Sequence, residues 1–350
     1  MSIYVESSPI DHTEQHIDNS MLVAAHAAML AGRFFNRQAS NLAKQGTLAV
    51  YPSSQGQEAC QVAAALALHP NDWLFPTYRD SVAILSRGVD PAKLLTLFHG
   101  SGHCGYIPRL TYTAPHTTPL ATHTAHAVGL AMAAKFAGDS TVALAMCGDG
   151  STSEGDFHEA LNLAAVFEAP VVFLVQNNGY AISTPVSRQT RAASIAAKGE
   201  GYGMPAYRVD GNDFEQVYIR LHEAVERARA GGGPTLIEAM TYRMGPHTTS
   251  DNPDRYRSRE EVEQWRGRDP LMRIQQQMHE RLPDAPARIE RATTAAEEIA
   301  AQARTRVTEL PAPNPQDLFA HVYAQPPATL RAVADLYAAQ HETAQMGENA

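Results

Sequence analysis

Residues 142–183 read VALAMCGDGSTSEGDFHEALNLAAVFEAPVVFLVQNNGYAIS, and this stretch decides the fold prediction. Two apolar runs, 142–147 and 171–176, flank a segment, 155–168, whose apolar residues recur at helical spacing. Nearly continuous apolar strands are typical of a parallel sheet that is covered by helices on both faces. The strand–helix–strand unit therefore predicts an α/β fold with a mostly parallel sheet.

Further elements are predicted on both sides of this unit. Apolar periodicity predicts helices at 20–44 (with Ser20 as N-cap), 57–68, 80–87, 123–136, 213–230 and 287–307, a short helix that opens at Pro91, and a strand at 235–241. Segment 99–122 lacks periodicity, which indicates a functional loop or a mobile segment. We expect a helical N-terminal extension (1–50), an α/β domain (51–310) and a C-terminal arm (311–350).

Composition narrows the class of protein. The chain has 350 residues, of which 44% are hydrophobic and 19% are charged, as in an ordinary globular protein. A formal net charge of −9 argues against nucleic-acid binding, which needs a basic surface. Three cysteines without a CxxC pair indicate neither a disulfide framework nor a zinc site, and Cys147 is predicted to be buried.

The same sequence gives an expectation for location. No run of about 18 apolar residues is present, so no transmembrane helix is expected. The acidic N-terminus shows neither a signal peptide nor an Arg-rich amphipathic leader. These features predict a cytoplasmic protein that does not contact a membrane.

Polar residues follow both strands of the unit. Gly148-Asp149-Gly150 follows the first strand, and Asn177-Asn178-Gly179-Tyr180 follows the second. Because the carboxyl ends of parallel strands meet at one edge of a sheet, we expect the two clusters to lie close together. Carboxylate, amide and carbonyl oxygens suit Mg²⁺, which is completed by phosphate oxygens and water. Taken alone, each motif would be an ordinary turn; together they predict a magnesium site.

The stretch 148–183, which begins with GDG and continues to NN, resembles the thiamine diphosphate motif. More narrowly, the chain is similar to the α subunits of the pyruvate and branched-chain 2-oxo acid dehydrogenase decarboxylating components. The similarity runs from about Gln55 into the C-terminal arm and includes FPTYRD (75–80), TTPLATH (117–123), RVDGND (208–213) and TLIEAMTYRMGPHTTSDNPDRYRS (235–258). It implies the thiamine diphosphate-binding fold of these subunits.

The resemblance also implies a set of cofactor-binding residues. Mg²⁺ would be held by the side chains of Asp149 and Asn178 and by the backbone carbonyl of Tyr180. Gly150 and Ser151 would offer backbone N–H groups to the diphosphate. Arg79, which follows Tyr78 in the YR pair of the family, would contact diphosphate oxygens, since a guanidinium matches phosphate geometry.

A conserved loop frame of the family is matched by YRMGPHTTSD at 242–251. The resemblance makes His247 the catalytic residue of this chain, which helps to bind the diphosphate and supports acyl transfer to a lipoyl carrier. Arg243 would order the loop or contact the diphosphate. Thr248 and Ser258 match regulatory phosphorylation sites of mitochondrial relatives; local capping by the two hydroxyls is the alternative.

Two further positions concern a monovalent cation and the diphosphate. Thr117, Pro119, Thr122 and His123 match a segment that holds a monovalent cation such as K⁺ in branched-chain relatives, which usually carry Gln where His123 stands. Gln176 stands where the same relatives carry an Arg that reaches the diphosphate. Both positions are departures from the family pattern.

The resemblance implies that this chain is part of a larger enzyme. In the family, the glutamate that activates the cofactor belongs to a β subunit, and only one diphosphate-binding module is found in this chain. We therefore expect an α₂β₂ heterotetramer that acts on a small 2-oxo acid and passes the acyl group to a lipoyl-bearing acyltransferase component.

The substrate and the rival functions remain open at this point. The segments GYAISTP (179–185), AAKGEGYG (196–203), LIEAMTYR (236–243) and the C-terminal PNPQDLFAHVY (313–323) favour branched-chain 2-oxo acids over pyruvate or acetoin. A catalytically degenerate regulatory or scaffold subunit is a second alternative, because of Gln176 and His123. A nucleotide-binding protein is disfavoured, since neither GxGxxG nor GxxxxGK[ST] follows a strand.

Overall fold

The computed structural model describes residues 16–101, 103–311, 317–320 and 322–348. Within them, five strands form one sheet in the order β1-β2-β3-β7-β6, and every neighbouring pair is parallel. Two further strands, β4 and β5, form a short antiparallel hairpin. The strands are β1 Trp73–Phe75, β2 Ala143–Gly148, β3 Val171–Asn177, β4 Tyr180–Ala181, β5 Thr184–Pro185, β6 Ala206–Asp210 and β7 Thr235–Met240. The predicted α/β class with a parallel sheet is confirmed.

Helices occupy most of the remaining described chain. They are α1 Asn19–Lys44, α2 Glu58–Leu66, α3 Ser81–Ser86, α4 Pro91–Leu94, α5 Thr96–His99, α6 Pro108–Thr111, α7 Thr122–Ala137, α8 Gly155–Val166, α9 Val186–Gln189, α10 Ala197–Gly201, α11 Phe214–Arg227, α12 Arg259–Arg266, α13 Pro270–Arg281, α14 Ala285–Thr308, α15 Asp317–Ala320 and α16 Ala328–Glu348.

Both faces of the sheet are buried because side chains alternate along each strand. In β2, Leu144 and Met146 pack into a core built with α1, α2, α11, α13 and α14. Ala145 and Cys147 point to the opposite face, where α7 and α8 cover them. The near-continuous apolar runs of the sequence therefore reflect burial on two sides, which fixes the ends of β2 and β3 at one rigid edge.

The two edge strands, the β4–β5 hairpin, one helix start and the helices α12, α13 and α16 differ from the sequence prediction. Neither β1 nor β6 was predicted, since an edge strand is short and only partly covered, so its pattern is weak. The N-cap of α1 is Asp18 rather than Ser20. The Asp18 carboxylate accepts from Met21 N–H, whereas the Ser20 hydroxyl donates to that carboxylate. The segment 99–122 is largely irregular, as predicted, apart from the short α6.

The cysteines and helices agree with the expected class. All three cysteines are free, and burial raises the thiol pKa of Cys60 and Cys147. Both are therefore core residues rather than nucleophiles. In the part of the chain that the structure describes, no helix combines the length and apolarity needed to span a bilayer.

Candidate active site

A cavity of about 390 Å³ lies at the carboxyl ends of β2 and β3. The chain leaves β2 through a 3₁₀ turn, Asp149–Ser153, and leaves β3 through the β4–β5 hairpin. The walls combine these two turns with the segment before α3 and the loop after β7. All nine predicted cofactor residues line the cavity: Tyr78, Arg79, Asp149, Gly150, Ser151, Asn178, Tyr180, Arg243 and His247.

Asp149 is a buried carboxylate that forms no salt bridge among the described residues. Its Oδ1 accepts from the backbone N–H of Asn178 at 3.3 Å, and its Oδ2 accepts from Gln189 Nε2 at 2.7 Å. Burial raises the pKa of Asp149, against these hydrogen bonds and the more distant charge of Arg243, which lower it. A buried carboxylate that lacks a positive partner is costly, so this position suits a cation.

Asn178 and Tyr180 place two more oxygen atoms beside Asp149. Gly179 has φ 91°, a left-handed conformation that glycine adopts easily and that turns the chain back toward the cavity. The Asn178 Oδ1 accepts from the Tyr180 N–H at 3.3 Å. The Tyr180 carbonyl lies 3.4 Å from Arg243 Nη1. Carboxylate, amide and carbonyl oxygens thus come from two adjacent turns, as a hard divalent cation requires.

Two buried guanidinium groups face the same cavity. Arg79 is 6% exposed and Arg243 is 1% exposed, and neither has a carboxylate at ion-pair distance among the described residues. Burial lowers the pKa of Arg79, and the charge of Arg243 adds to this effect. Two like charges that are buried together require an anion, and planar guanidinium groups match phosphate oxygens.

His247 lies between the two arginines. Its Nδ1 is 3.0 Å from Arg79 Nη2 and 3.4 Å from Arg243 Nη1. Because a guanidinium can only donate, Nδ1 must accept and the ring proton is on Nε2. Burial, followed by the charges of both arginines, lowers the pKa of His247 to about 4. The imidazole is therefore neutral at pH 7 and carries one N–H donor.

Residues that the sequence analysis did not single out hold this loop in place. The Asp251 carboxylate accepts from the His247 backbone N–H at 2.7 Å and from the Tyr256 hydroxyl. The buried Arg257 donates to the carbonyls of Arg243, Met244 and Gly245. All three residues belong to the SDNPDRYR run at 250–257, and only the folded loop shows that they make these contacts.

The two predicted phosphorylation positions differ in their surroundings. Thr248 lines the cavity beside His247. Ser258 is exposed, and its Oγ accepts from the Glu261 N–H at the start of α12. Ser258 is therefore a helix cap, as the alternative interpretation expected, while modification of either hydroxyl stays a prediction.

The residues predicted to hold a monovalent cation do not line the cavity. The Thr117 carbonyl accepts from the Tyr78 N–H, and the Thr122 hydroxyl donates to Asp156. The buried His123 lies with Nε2 2.6 Å from the Met146 carbonyl, which can only accept. The Nε2 proton of His123 is thus engaged with β2. Pro119 is exposed. Cation binding here stays a prediction.

The charges of the cavity fit a divalent cation and a diphosphate. One side presents a buried carboxylate with oxygen neighbours, and the other presents two buried guanidinium groups; among the described residues none of the three forms a salt bridge. A cation next to a polyanion would satisfy both sides at once. The residues present therefore fit Mg²⁺ with the diphosphate of the cofactor.

Gly150 gives a testable requirement for a small residue. A Cβ at Gly150 would lie 2.8 Å from the Ala181 Cβ of the hairpin, whereas one at Gly148 would meet no heavy atom within 4 Å. We expect Gly150→Ala to displace the hairpin, to lower the thermal midpoint of the assembled enzyme and to weaken thiamine diphosphate binding about tenfold. Gly148→Ala, the matched control, should keep the wild-type midpoint. Equal midpoints for both variants would contradict the proposed close packing.

The fold and site define an α/β protein whose ligand site lies at the carboxyl ends of parallel strands. The family model described as dehydrogenase E1 component matches residues 26–316, and the chain belongs to this family. It is thus a thiamine diphosphate-dependent 2-oxo acid dehydrogenase component of the α-subunit type.

Curated relatives agree with this class. The 3-methyl-2-oxobutanoate dehydrogenase subunit alpha of Mycobacterium tuberculosis is 48% identical over 297 residues, which cover 85% of this chain and 81% of that protein. The pyruvate dehydrogenase E1 component subunit alpha of Acholeplasma laidlawii is 39% identical over 262 residues, which cover 75% of this chain and 76% of that protein. The same subunit of Staphylococcus aureus is 39% identical over 259 residues, which cover 74% of this chain and 70% of that protein.

Proposed function

We propose that this chain is the α subunit of an enzyme that oxidatively decarboxylates branched-chain 2-oxo acids, such as 3-methyl-2-oxobutanoate, and transfers the acyl group to a lipoyl carrier protein. The observation that carries the proposal is the pairing, in one cavity, of a buried carboxylate with two buried guanidinium groups, none of which forms a salt bridge among the described residues. The role belongs to branched-chain amino acid catabolism.

In this proposal each side of the cavity has a separate binding task. Asp149, Asn178 and the Tyr180 carbonyl hold Mg²⁺, while Arg79, Arg243 and the N–H groups of Gly150 and Ser151 hold the diphosphate. Tyr78 contributes through its ring, which contacts His247 at a centroid distance of 6.2 Å. The cofactor, once bound, supplies the electron sink for decarboxylation.

His247 contributes a positioned neutral donor. Arg79 fixes its tautomer through Nδ1, and Asp251 fixes its backbone, so the Nε2–H is the free polar atom of the ring. A neutral imidazole keeps this proton near neutral pH and offers it as a hydrogen bond, which suits stabilisation of negative charge that develops during acyl transfer. We assign His247 to that step.

The residues that line the same cavity support the proposal of a β subunit. Its only carboxylates within the described chain are Asp80 and Asp149, and no glutamate lines it. A glutamate that activates the cofactor would have to come from a partner, which supports an α₂β₂ heterotetramer served by a lipoyl-bearing acyltransferase component. The proposal also keeps the cytoplasmic location and the K⁺ site expected from the sequence.

The preference for branched-chain substrates has two supports. The relative with 48% identity is named for 3-methyl-2-oxobutanoate, whereas those named for pyruvate are 39% identical. The cavity lining also includes apolar residues that can contact an aliphatic side chain: Val50, Pro52, Phe98, Leu120 and Ile182.

The test is decarboxylation by the chain co-expressed with its β subunit. The assay contains thiamine diphosphate, Mg²⁺ and an artificial electron acceptor, and it compares 3-methyl-2-oxobutanoate, pyruvate and acetoin. We expect kcat/KM for 3-methyl-2-oxobutanoate to exceed that for pyruvate by at least about tenfold, since a few buried methyl groups contribute that much. A preference for pyruvate or acetoin would reassign the substrate, and an assembled complex that binds no cofactor would indicate a regulatory subunit.

A further inference from the structure

Four buried side chains in the wall of the cavity form a continuous hydrogen-bonded line. Gln176 Nε2 donates to Asp80 Oδ1 at 2.7 Å, Gln57 Nε2 donates to Gln176 Oε1 at 3.1 Å, and Asn178 Nδ2 donates to Gln57 Oε1 at 3.2 Å. Each of the four is at most 5% exposed. We call Asp80, Gln176 and Gln57 the amide relay, since they connect to the amide of Asn178.

At the Asp80 end of the relay, backbone donors determine which side of each amide carries the oxygen and which carries the NH₂ group. The Thr77 N–H and hydroxyl both donate to Asp80 Oδ2, at 2.7 and 2.9 Å. The Val82 N–H donates to Gln61 Oε1 at 3.1 Å, so the NH₂ group of Gln61 must face the opposite way. That group lies 3.1 Å from Asp80 Oδ1 and 3.3 Å from Gln176 Oε1. A backbone N–H can only donate, so these assignments cannot be reversed locally.

The orientation of each amide then determines the orientation of the next one, up to Asn178. Gln176 must accept through Oε1, because Gln61 presents donors to it, and it must donate to Asp80. Gln57 therefore turns its NH₂ toward Gln176 and its oxygen toward Asn178. The Asn178 NH₂ is consequently held on the Gln57 side, and Asn178 Oδ1 is left for the Tyr180 N–H and the cavity.

We infer that the amide relay is a set of positioning residues that orients Asn178 with its oxygen, rather than its NH₂, toward the bound cation. A terminal amide has nearly the same shape in both orientations, so sterics alone would not select one. Only the oxygen can ligate a hard cation, and groups behind a ligand set its orientation and affinity. The inference rests on the proposed function, since it takes Asn178 as a cation ligand.

The relay also gives Gln176 a role in this chain. A residue at this position that could only donate would face the NH₂ of Gln57 and would oppose the observed direction. Glutamine accepts on one side and donates on the other, which matches its two contacts. Gln176 thus sets the orientation of the Gln57 amide, and its presence is not only the loss of a contact to the diphosphate.

The test measures Mn²⁺ binding, as a substitute for Mg²⁺, to the assembled complex at saturating thiamine diphosphate. Free Mn²⁺ is followed by its electron paramagnetic resonance signal. Gln57→Met removes the acceptor for Asn178 without changing charge, and we expect Kd to rise about tenfold. Gln57→Glu keeps an acceptor toward Asn178, and its Kd should stay within about threefold of wild type.

The controls separate orientation from stability. Tyr51→Phe removes hydrogen bonds to the buried Asn36 and Ser81, outside the relay, and should lower the thermal midpoint without changing the Mn²⁺ Kd. A wild-type Kd for Gln57→Met, or equal weakening by Met and Glu, would overturn the relay. If Gln57→Met does not assemble, Gln176→Met, which breaks the relay one step further from Asn178, takes its place, and a wild-type Mn²⁺ Kd for that variant would overturn the relay.

The failure of the relay can be distinguished from the failure of the proposed function. Asp149→Ala is measured in the same titration. If Asp149→Ala binds Mn²⁺ like wild type, the cation assignment itself is wrong. If Asp149→Ala loses binding while Gln57→Met keeps it, the cation site stands and only the relay is wrong.

Discussion

Replacing Asp149 with alanine abolishes Mg²⁺-dependent binding of thiamine diphosphate by the assembled enzyme, with Kd raised by roughly 100-fold or more. The physical reason is the environment of this carboxylate: it is buried, and its hydrogen bonds come only from neutral donors, the Asn178 N–H and Gln189 Nε2, among the described residues. Without it, the two guanidinium groups would attract the diphosphate, but the cation would lose its charged ligand.

The measurement is isothermal titration with thiamine diphosphate in the presence of Mg²⁺ and in the presence of a chelator. Glu297→Ala is the matched control, because it removes the same charge from an exposed position on α14. The control should bind like wild type. Retained Mg²⁺-dependent affinity in Asp149→Ala would show that the ligand assignment is wrong.

Replacing His247 with alanine lowers acyl transfer to the lipoyl carrier by roughly 10²-fold to 10³-fold, as expected for loss of a positioned hydrogen-bond donor. Decarboxylation with an artificial electron acceptor should fall much less, because this assay bypasses the transfer step. The expectation follows from the neutral ring and from its fixed tautomer, which together leave the Nε2–H as the free polar group.

Both assays are performed on the same preparation, with His279→Ala, an exposed residue of α13, as the control. The control should retain both activities. Equal loss of the two activities in His247→Ala would mean that this residue mainly holds the cofactor in place and is not specific to transfer.

The central part of the fold was predictable because the side chains of its strands are buried on both faces of the sheet. The runs 142–147 and 171–176 are so apolar that β2 and β3 were placed to within about one residue. The polar turns after them had to share one edge, so the meeting of Asp149 with Asn178 also followed from the sequence. The edge strands β1 and β6 lack this signal, since fewer of their residues are covered.

The cofactor side chains were found by motif, whereas the residues behind them were not. Gln57 and Gln61 lie one helical turn apart at the start of the apolar α2, and both are buried. Two amides on one face of an apolar helix are a signal of a buried polar network, but their partners are distant in sequence. Asp80 and Gln176 meet them only through packing of α2 and α3 against the sheet, which no local pattern encodes.

The most direct measurement is a crystal structure of the assembled complex with thiamine diphosphate and Mn²⁺, in which an anomalous difference map locates the cation. We predict one peak at the carboxyl ends of β2 and β3, within about 2.0–2.3 Å of Asp149, Asn178 Oδ1 and the Tyr180 carbonyl. The diphosphate should lie between this peak and Arg79 and Arg243. A cation bound elsewhere, or a diphosphate that does not contact the two arginines, would contradict the account.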